Sequence, residues 1–221
     1  MNIRTFGIRL LCASMLLVFF ANCSSSGTDR DNRLIGKWVV DRILGDTDPD
    51  EDIATLFYEA DGTGRVLEDE LMIDILWETM GNSIITTIPD FDLTVESQYS
   101  LSPSRNVLST TSDLGDGVVI TEVYYRFLEN HPEELLGTWT PISKALNGEV
   151  IENDEEVLVL EDDGVGSVRW GVTEDRILLL DIDTLRGLAW EFEIVEGEGE
   201  TFLVIVENND SGEIIVTYTK S

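Results

Sequence analysis

Apolar and polar residues alternate with a period of two along several stretches of the chain. Phe91, Leu93 and Val95 alternate with Asp92, Thr94 and Glu96, and Trp190, Phe192 and Ile194 alternate with Glu191 and Glu193. Successive side chains of a strand point to opposite faces, so this pattern predicts strands with one buried face. Trp38-Val39-Val40 suits a first strand, and Leu56-Phe57-Tyr58 runs into Asp61-Gly62, a strong hairpin signal. Gly115-Asp116-Gly117 turns the chain into a strand over 118–127. The stretch 68–80 reads two ways. Leu71 with Ile75 and Met72 with Leu76 lie four residues apart, as on a helical insertion, but the match of Trp77 to Trp170 favours a strand from about Ile73. Three segments, 157–160, 177–180 and 202–206, are apolar on both faces. A small barrel whose outer wall meets water does not read this way. Part of the outer surface of the second half is therefore expected to be covered by the first.

The chain carries its landmarks twice. Leu34-Ile35-Gly36-Lys37-Trp38 returns as Leu135-Leu136-Gly137-Thr138-Trp139, with the tryptophans 101 residues apart. Glu59-Ala60-Asp61-Gly62-Thr63-Gly64-Arg65-Val66 returns as Glu161-Asp162-Asp163-Gly164-Val165-Gly166-Ser167-Val168. Trp77 and Trp170 each precede an isoleucine, Ile84 and Ile177, by seven residues. Each half ends on a tyrosine and a cation, Tyr124-Tyr125-Arg126 and Tyr218-Thr219-Lys220. Four landmarks in one order predict a tandem duplication, with copies over 34–128 and 134–221 joined by a polar, proline-containing linker over 129–133.

The N-terminus changes the picture. Arg4 and Arg9 accompany an apolar stretch over 10–21, which as a helix spans roughly 18 Å against the roughly 30 Å of a bilayer core. It fits the apolar region of an export signal over 1–22. Cys12 leaves with that signal, and Cys23, the one other cysteine, then has no internal partner for a disulfide. A lone cysteine at the end of the apolar region suits an anchor; ordinary signal cleavage leaving a free thiol is the alternative. Ser24-Ser25-Ser26-Gly27 and the polar run to Arg33 read as a flexible tether over 23–33.

Charge excludes one class of partner. The chain has 44 acidic residues against 14 basic ones, only three of them lysines (Lys37, Lys144, Lys220), for a formal net charge of −30. Nucleic acid bound through phosphate neutralisation is not expected. The acids are scattered along every segment, as on a solvated acidic exterior; a cation-attracting surface is the alternative. Asp46, Asp48, Asp50 and Asp52 form the densest cluster and are the candidates for a surface calcium site. The EF-hand pattern fails there, because Glu51 stands where glycine is required and Phe57 where the bidentate glutamate belongs. No resident metal or cofactor is expected.

Enzymatic arrangements fare poorly. His131, the single histidine, sits beside Pro132 in the linker, which removes Ser-His-Asp, Cys-His and histidine-based zinc sites. No Gly-rich phosphate loop leads into a helix. Carboxylate pairs are too many in so acidic a chain to be informative. A non-enzyme is expected.

Two resemblances follow from these residues. Phe20-Ala21-Asn22-Cys23 resembles a bacterial lipobox, with Phe20 in place of the usual leucine and Asn22 in place of a small residue. It implies an acylated Cys23, and Ser24 after it resembles lipoproteins sorted to the outer membrane, on its periplasmic or surface face. Gly36-x-Trp38 and Gly137-x-Trp139 on first strands, the Asp-Gly-x-Gly hairpins and the terminal Tyr-x-cation strands resemble the lipocalin-like domains of bacterial lipoproteins. That resemblance implies an all-β fold of two tandem antiparallel meanders, each a lipocalin-like small barrel, after an N-terminal signal helix. It also implies a tryptophan plugging one end of each barrel with a cation from the last strand across it: Arg126 over Trp38 beside Gly36, and Lys220 over Trp139 beside Gly137. The expected function is that of a non-enzymatic envelope lipoprotein binding a small hydrophobic ligand in a barrel. The alternative is a solid-cored module binding another envelope protein. An apolar cavity favours the first, and a large exposed apolar patch the second.

Overall fold

A computed structural model describes residues 30–44, 55–68, 71–115, 117–153, 155–184, 186–197, 199–209 and 212–221. The expected signal helix, Cys23, the tether before Arg30, and Asp46, Asp48, Asp50 and Asp52 lie outside the described residues. Among those described, every regular element is a strand apart from two 3₁₀ turns, Asn32–Leu34 and Pro89–Phe91.

The first eight strands are β1 (Gly36–Leu44), β2 (Thr55–Tyr58), β3 (Thr63–Glu68), β4 (Leu71–Met80), β5 (Ser83–Ile88), β6 (Leu93–Leu101), β7 (Val107–Gly115) and β8 (Val118–Arg126). Each pairs antiparallel with the next, and β8 returns to β1 with Trp38 opposite Arg126, so the sheet closes into a barrel. The ambiguous stretch is a strand. Ile73, Ile75, Trp77 and Thr79 are buried at alternate positions of β4, whereas Leu71, Met72 and Leu76 are exposed, so the helical spacing has no buried face to serve. Phe91 departs from the expected strand: it ends the turn before β6 and is exposed. Trp38, Leu56, Tyr58, Ile75, Trp77, Leu108 and Tyr124 meet in the barrel's core.

The remaining strands are β9 (Gly137–Leu146), β10 (Glu149–Ile151), β11 (Leu158–Leu160), β12 (Val168–Thr173), β13 (Arg176–Asp181), β14 (Gly187–Gly197), β15 (Glu200–Asn209) and β16 (Gly212–Lys220). They run in the order β10-β9-β16-β15-β14-β13-β12, with β11 also on β9. Where a second small barrel is expected, the described residues form an open sheet. In the first sheet β3 bridges β2 and β4. The corresponding residues after Gly164 make only an isolated bridge, Val165 with Val168, so among the described residues nothing links β11 to β12. The opening registers still correspond. Trp38 pairs with Leu56 and Gly36 with Tyr58, while Trp139 pairs with Leu158 and Gly137 with Leu160.

The two sheets share a third apolar cluster. Val39, Phe57, Leu67, Val123, Tyr125 and Phe127 from the barrel's outer wall pack against Leu178 and Leu180 of β13. Ile177 turns to the second sheet's own core, which accounts for the two-sided apolar run over 177–180. Burying a leucine of this kind stabilises by about 1.5–3 kcal/mol. The backbone comes close at Gly187, where a Cβ would lie 2.8 Å from Val39 and 2.9 Å from the Thr55 hydroxyl. The other two-sided runs are not covered in this way, since Val157 and Val159 remain exposed and Phe202, Val204 and Val206 half-buried.

The segment 129–133 is tied down. The Val172 amide donates to the Asn130 carbonyl at 2.8 Å, and the Asn130 side chain donates to the Val172 carbonyl at 3.4 Å. The His131 ring, 4.7 Å from that of Trp170 between centroids, has Nε2 2.8 Å from the Trp170 carbonyl oxygen.

Candidate functional site

One end of the barrel is built around Trp38. Its fully buried indole donates from Nε1 to the Leu34 carbonyl at 2.8 Å, and the Trp139 indole does the same to Leu135 at 2.8 Å. The Arg126 guanidinium lies 4.2 Å from the centre of the Trp38 ring, and the Lys220 ammonium 5.2 Å from that of Trp139. Such cation–π contacts contribute about 0.5–2 kcal/mol. Gly36 and Gly137 have φ of 139° and 130°, and a Cβ there would lie 2.8 Å from Arg126 and 3.2 Å from Lys220. The spacing Gly-x-Trp thus frees both a backbone angle and the path of the crossing cation.

The crossing arginine is held by main-chain oxygens. Arg126 donates from Nη1 to Ile35 at 2.6 Å, from Nε to Arg105 at 3.2 Å and from Nη2 to Arg33. Burial moves its pKa below the usual value for arginine. Lys220 makes one such bond, to the Glu134 carbonyl at 2.9 Å.

Residues 30–33, read from sequence as the end of a flexible tether, are instead bound to this base. The Arg30 guanidinium donates to the Trp77 carbonyl, the Asp31 amide to the Thr79 hydroxyl, and the Tyr99 hydroxyl to the Asp31 carboxylate at 2.8 Å. Asp31 also takes a two-pronged ion pair from Arg33 at 2.6–3.0 Å. The hydrogen bonds from Arg33, joined by that from Tyr99, hold the Asp31 carboxyl down at about 2, against an opposing effect of burial.

Beside Arg126 the base opens into a hollow of about 380 Å³ lined by Asn32, Arg33, Arg105 and Asn106. Sequence reading singled out none of these four. They come from a turn before β1 and a turn before β7, and only closure of the barrel brings them together. Trp77 and Trp170 also gain a role that alignment alone did not give. The Trp77 indole donates to the Glu59 and Thr63 carbonyls, both at 3.0 Å, and that of Trp170 to Glu161 at 2.5 Å, so each fastens the neighbouring Asp-Gly turn.

The opposite end is different. Along β4 the inward positions go from buried Trp77, Ile75 and Ile73 to Leu71, which is 55% exposed. Along β8 they go from buried Tyr124 through half-buried Glu122 and Ile120 to Val118, which is 44% exposed. Leu44 and Phe91 are exposed on the same rim. Below the rim the Thr110 hydroxyl donates to Glu122 at 2.9 Å, and the Ser97 and Ser112 hydroxyls lie 2.7 Å apart. Deeper still, burial drives the pKa of Tyr58 upward.

Among the described residues, no group of three His, Cys, Asp or Glu is placed to hold a metal ion, and no helix is long and apolar enough to cross a membrane. The comparisons with protein-family models, curated proteins and solved structures found no match.

Proposed function

We propose that this chain is a non-enzymatic, lipid-anchored protein of the bacterial cell envelope whose barrel binds a small hydrophobic molecule at its open end. The carrying observation is the rise in exposure of inward-facing apolar side chains, from Ile73 to Leu71 and from Tyr124 to Val118. Apolar walls with a few placed polar groups are the usual make-up of a small-molecule site, and Glu122 with Thr110 supplies those groups here. The buried core occupies the other end, so binding is confined to the mouth. The anchor reading rests on Cys23 and the apolar run before it. Arg30, the first described residue, bonds Trp77 at the Trp38 end, so the described chain begins at the end opposite the mouth.

Titration with a neutral apolar naphthylamine dye tests the site. The wild type is expected to bind, and Leu71→Asp and Val118→Asp to weaken binding at least tenfold with melting temperatures held; no binding to the wild type sinks the reading. Metabolic labelling with an alkyne fatty acid tests the anchor, and equal labelling of wild type and Cys23→Ser would refute it.

A second reading has its own observation. Leu44, Leu71, Met72, Phe91, Val118 and Val119 are all exposed around that mouth, as on a surface that meets another envelope protein. Native mass spectrometry of protein purified from its host separates the two, showing a bound lipid-sized molecule for the first or a protein partner for the second.

A further inference from the structure

From the geometry of the barrel's closed base we infer a second binding site, for a phosphate-class oxyanion, in the hollow formed by Asn32, Arg33, Arg105, Asn106 and Arg126. This inference is independent of ligand binding at the mouth.

Three of the chain's 11 arginines converge on this one hollow in a protein of net charge −30. Two carboxylates lie nearby. Asp31 is engaged with Arg33, and Glu174 accepts from the Asn106 side chain at 3.4 Å. Among the described residues, Arg105 and Arg126 have no carboxylate partner, and the three bonds of Arg126 described above go to neutral carbonyls. Arg105 holds φ of 66°, a left-handed conformation more readily adopted by glycine or asparagine, yet the residue there is a long cation.

The second sheet supplies an internal control. Its tryptophan, glycine and crossing cation reproduce the plug contact, but the residues corresponding to Asn32 and Arg33 are Glu133 and Glu134. The plug therefore forms without Arg33 or any side-chain positive charge at that place. Arg33 exceeds what the plug requires, and with Arg105, Arg126 and the two asparagines it gives the hollow a lining of donors. A guanidinium fork matches the spacing of phosphate oxygens, and that of Arg105 is not engaged by a carboxylate among the described residues, while the asparagine amides add neutral donors. Elsewhere the acidic surface repels anions, so a local positive hollow selects where one can settle.

The phosphate could belong to a soluble ester or to a lipid headgroup, and the test separates these sources. The full chain carrying Cys23→Ser, so that no acyl group contributes, is titrated at low salt with inorganic phosphate and glycerol 3-phosphate, and in parallel with phosphatidylglycerol and phosphatidylcholine vesicles. Saturable binding that weakens with added salt is expected. Arg105→Asn, which suits the left-handed backbone, is expected to weaken it at least tenfold at an unchanged melting temperature, and Arg33→Gln to weaken it as well. Binding of the soluble anions identifies a free phosphate ligand, and binding of phosphatidylglycerol vesicles alone identifies a headgroup. Absence of binding in every arm, or binding untouched by both substitutions, overturns the inference. Affinity for the naphthylamine dye is expected to stay unchanged in Arg105→Asn, so the two sites succeed or fail separately.

Discussion

The Arg176 guanidinium on β13 lies 2.7 Å from the Asp41 carboxylate on β1, and both side chains are less than a tenth exposed. This ion pair ties the second sheet to the barrel. Asp41 faces outward at a bulge between Val40 and Arg42, where the register of β1 against β8 shifts. Arg176 also lies 5.1 Å from the centre of the Tyr125 ring, 3.0 Å from Asp175 and 3.4 Å from Glu191.

Removing Asp41 takes away the one buried carboxylate at Arg176 and leaves its charge to the more exposed Asp175 and Glu191. Asp41→Ala is therefore expected to destabilise the protein by about 1.5–3 kcal/mol, the worth of a charge-assisted hydrogen bond, read as a lower urea midpoint. Replacing both partners, Asp41→Leu with Arg176→Met, is expected to recover most of that loss. An unchanged midpoint in Asp41→Ala would mean that the sheets do not depend on this contact.

The two plugs are structural. Trp38→Ala and Trp139→Ala each remove a fully buried indole and its hydrogen bond, at an expected cost of about 3–5 kcal/mol. Melting temperatures should fall in both, while the molecules still folded should keep their affinity for an apolar dye at the barrel mouth. Unchanged melting would contradict the role given to these tryptophans.

Asp31 makes a predictable contribution to acid stability. Its pKa is lowered from 3.8 to about 2 in the folded protein, so its stabilising effect is complete above 3.8 and is lost as pH falls toward 2. The stability difference between wild type and Asp31→Asn should be constant near neutrality and close between those two values. A difference that persists at pH 2 would remove the Arg33 and Tyr99 contacts as its cause.

Thr55 is fully buried beside the approach of Gly187, and among the described residues its hydroxyl has no hydrogen-bond partner. Thr55→Val keeps the shape and removes the stranded polar atom. Stability is expected to rise by about 1 kcal/mol in denaturant unfolding, and a loss of that size would show that the hydroxyl is satisfied in solution.

Much of this architecture is written locally. Period-two alternation, the Asp-Gly turns and the terminal Tyr-x-cation strands predict an all-β chain, and residues a few positions apart carry each signal. The crossing of Trp38 by Arg126 and of Trp139 by Lys220 is what the family resemblance implies and not something spacing yields; the structure shows both contacts, with Gly36 and Gly137 clearing their path. Helical spacing at Leu71 and Ile75 misleads for the complementary reason: burial in the barrel selects Ile73, Ile75, Trp77 and Thr79.

Contacts between distant segments had to come from the tertiary structure. Whether a sheet closes depends on one strand finding two neighbours; β3 does so in the barrel, while Val165 to Val168 does not in the second sheet. The ion pair of Asp41 with Arg176 spans 135 residues, and the hollow draws on residues 32, 33, 105, 106 and 126. Strand alternation says which residues face inward or outward. It cannot say which outward faces meet, because that choice is made by the packing of one whole sheet against another.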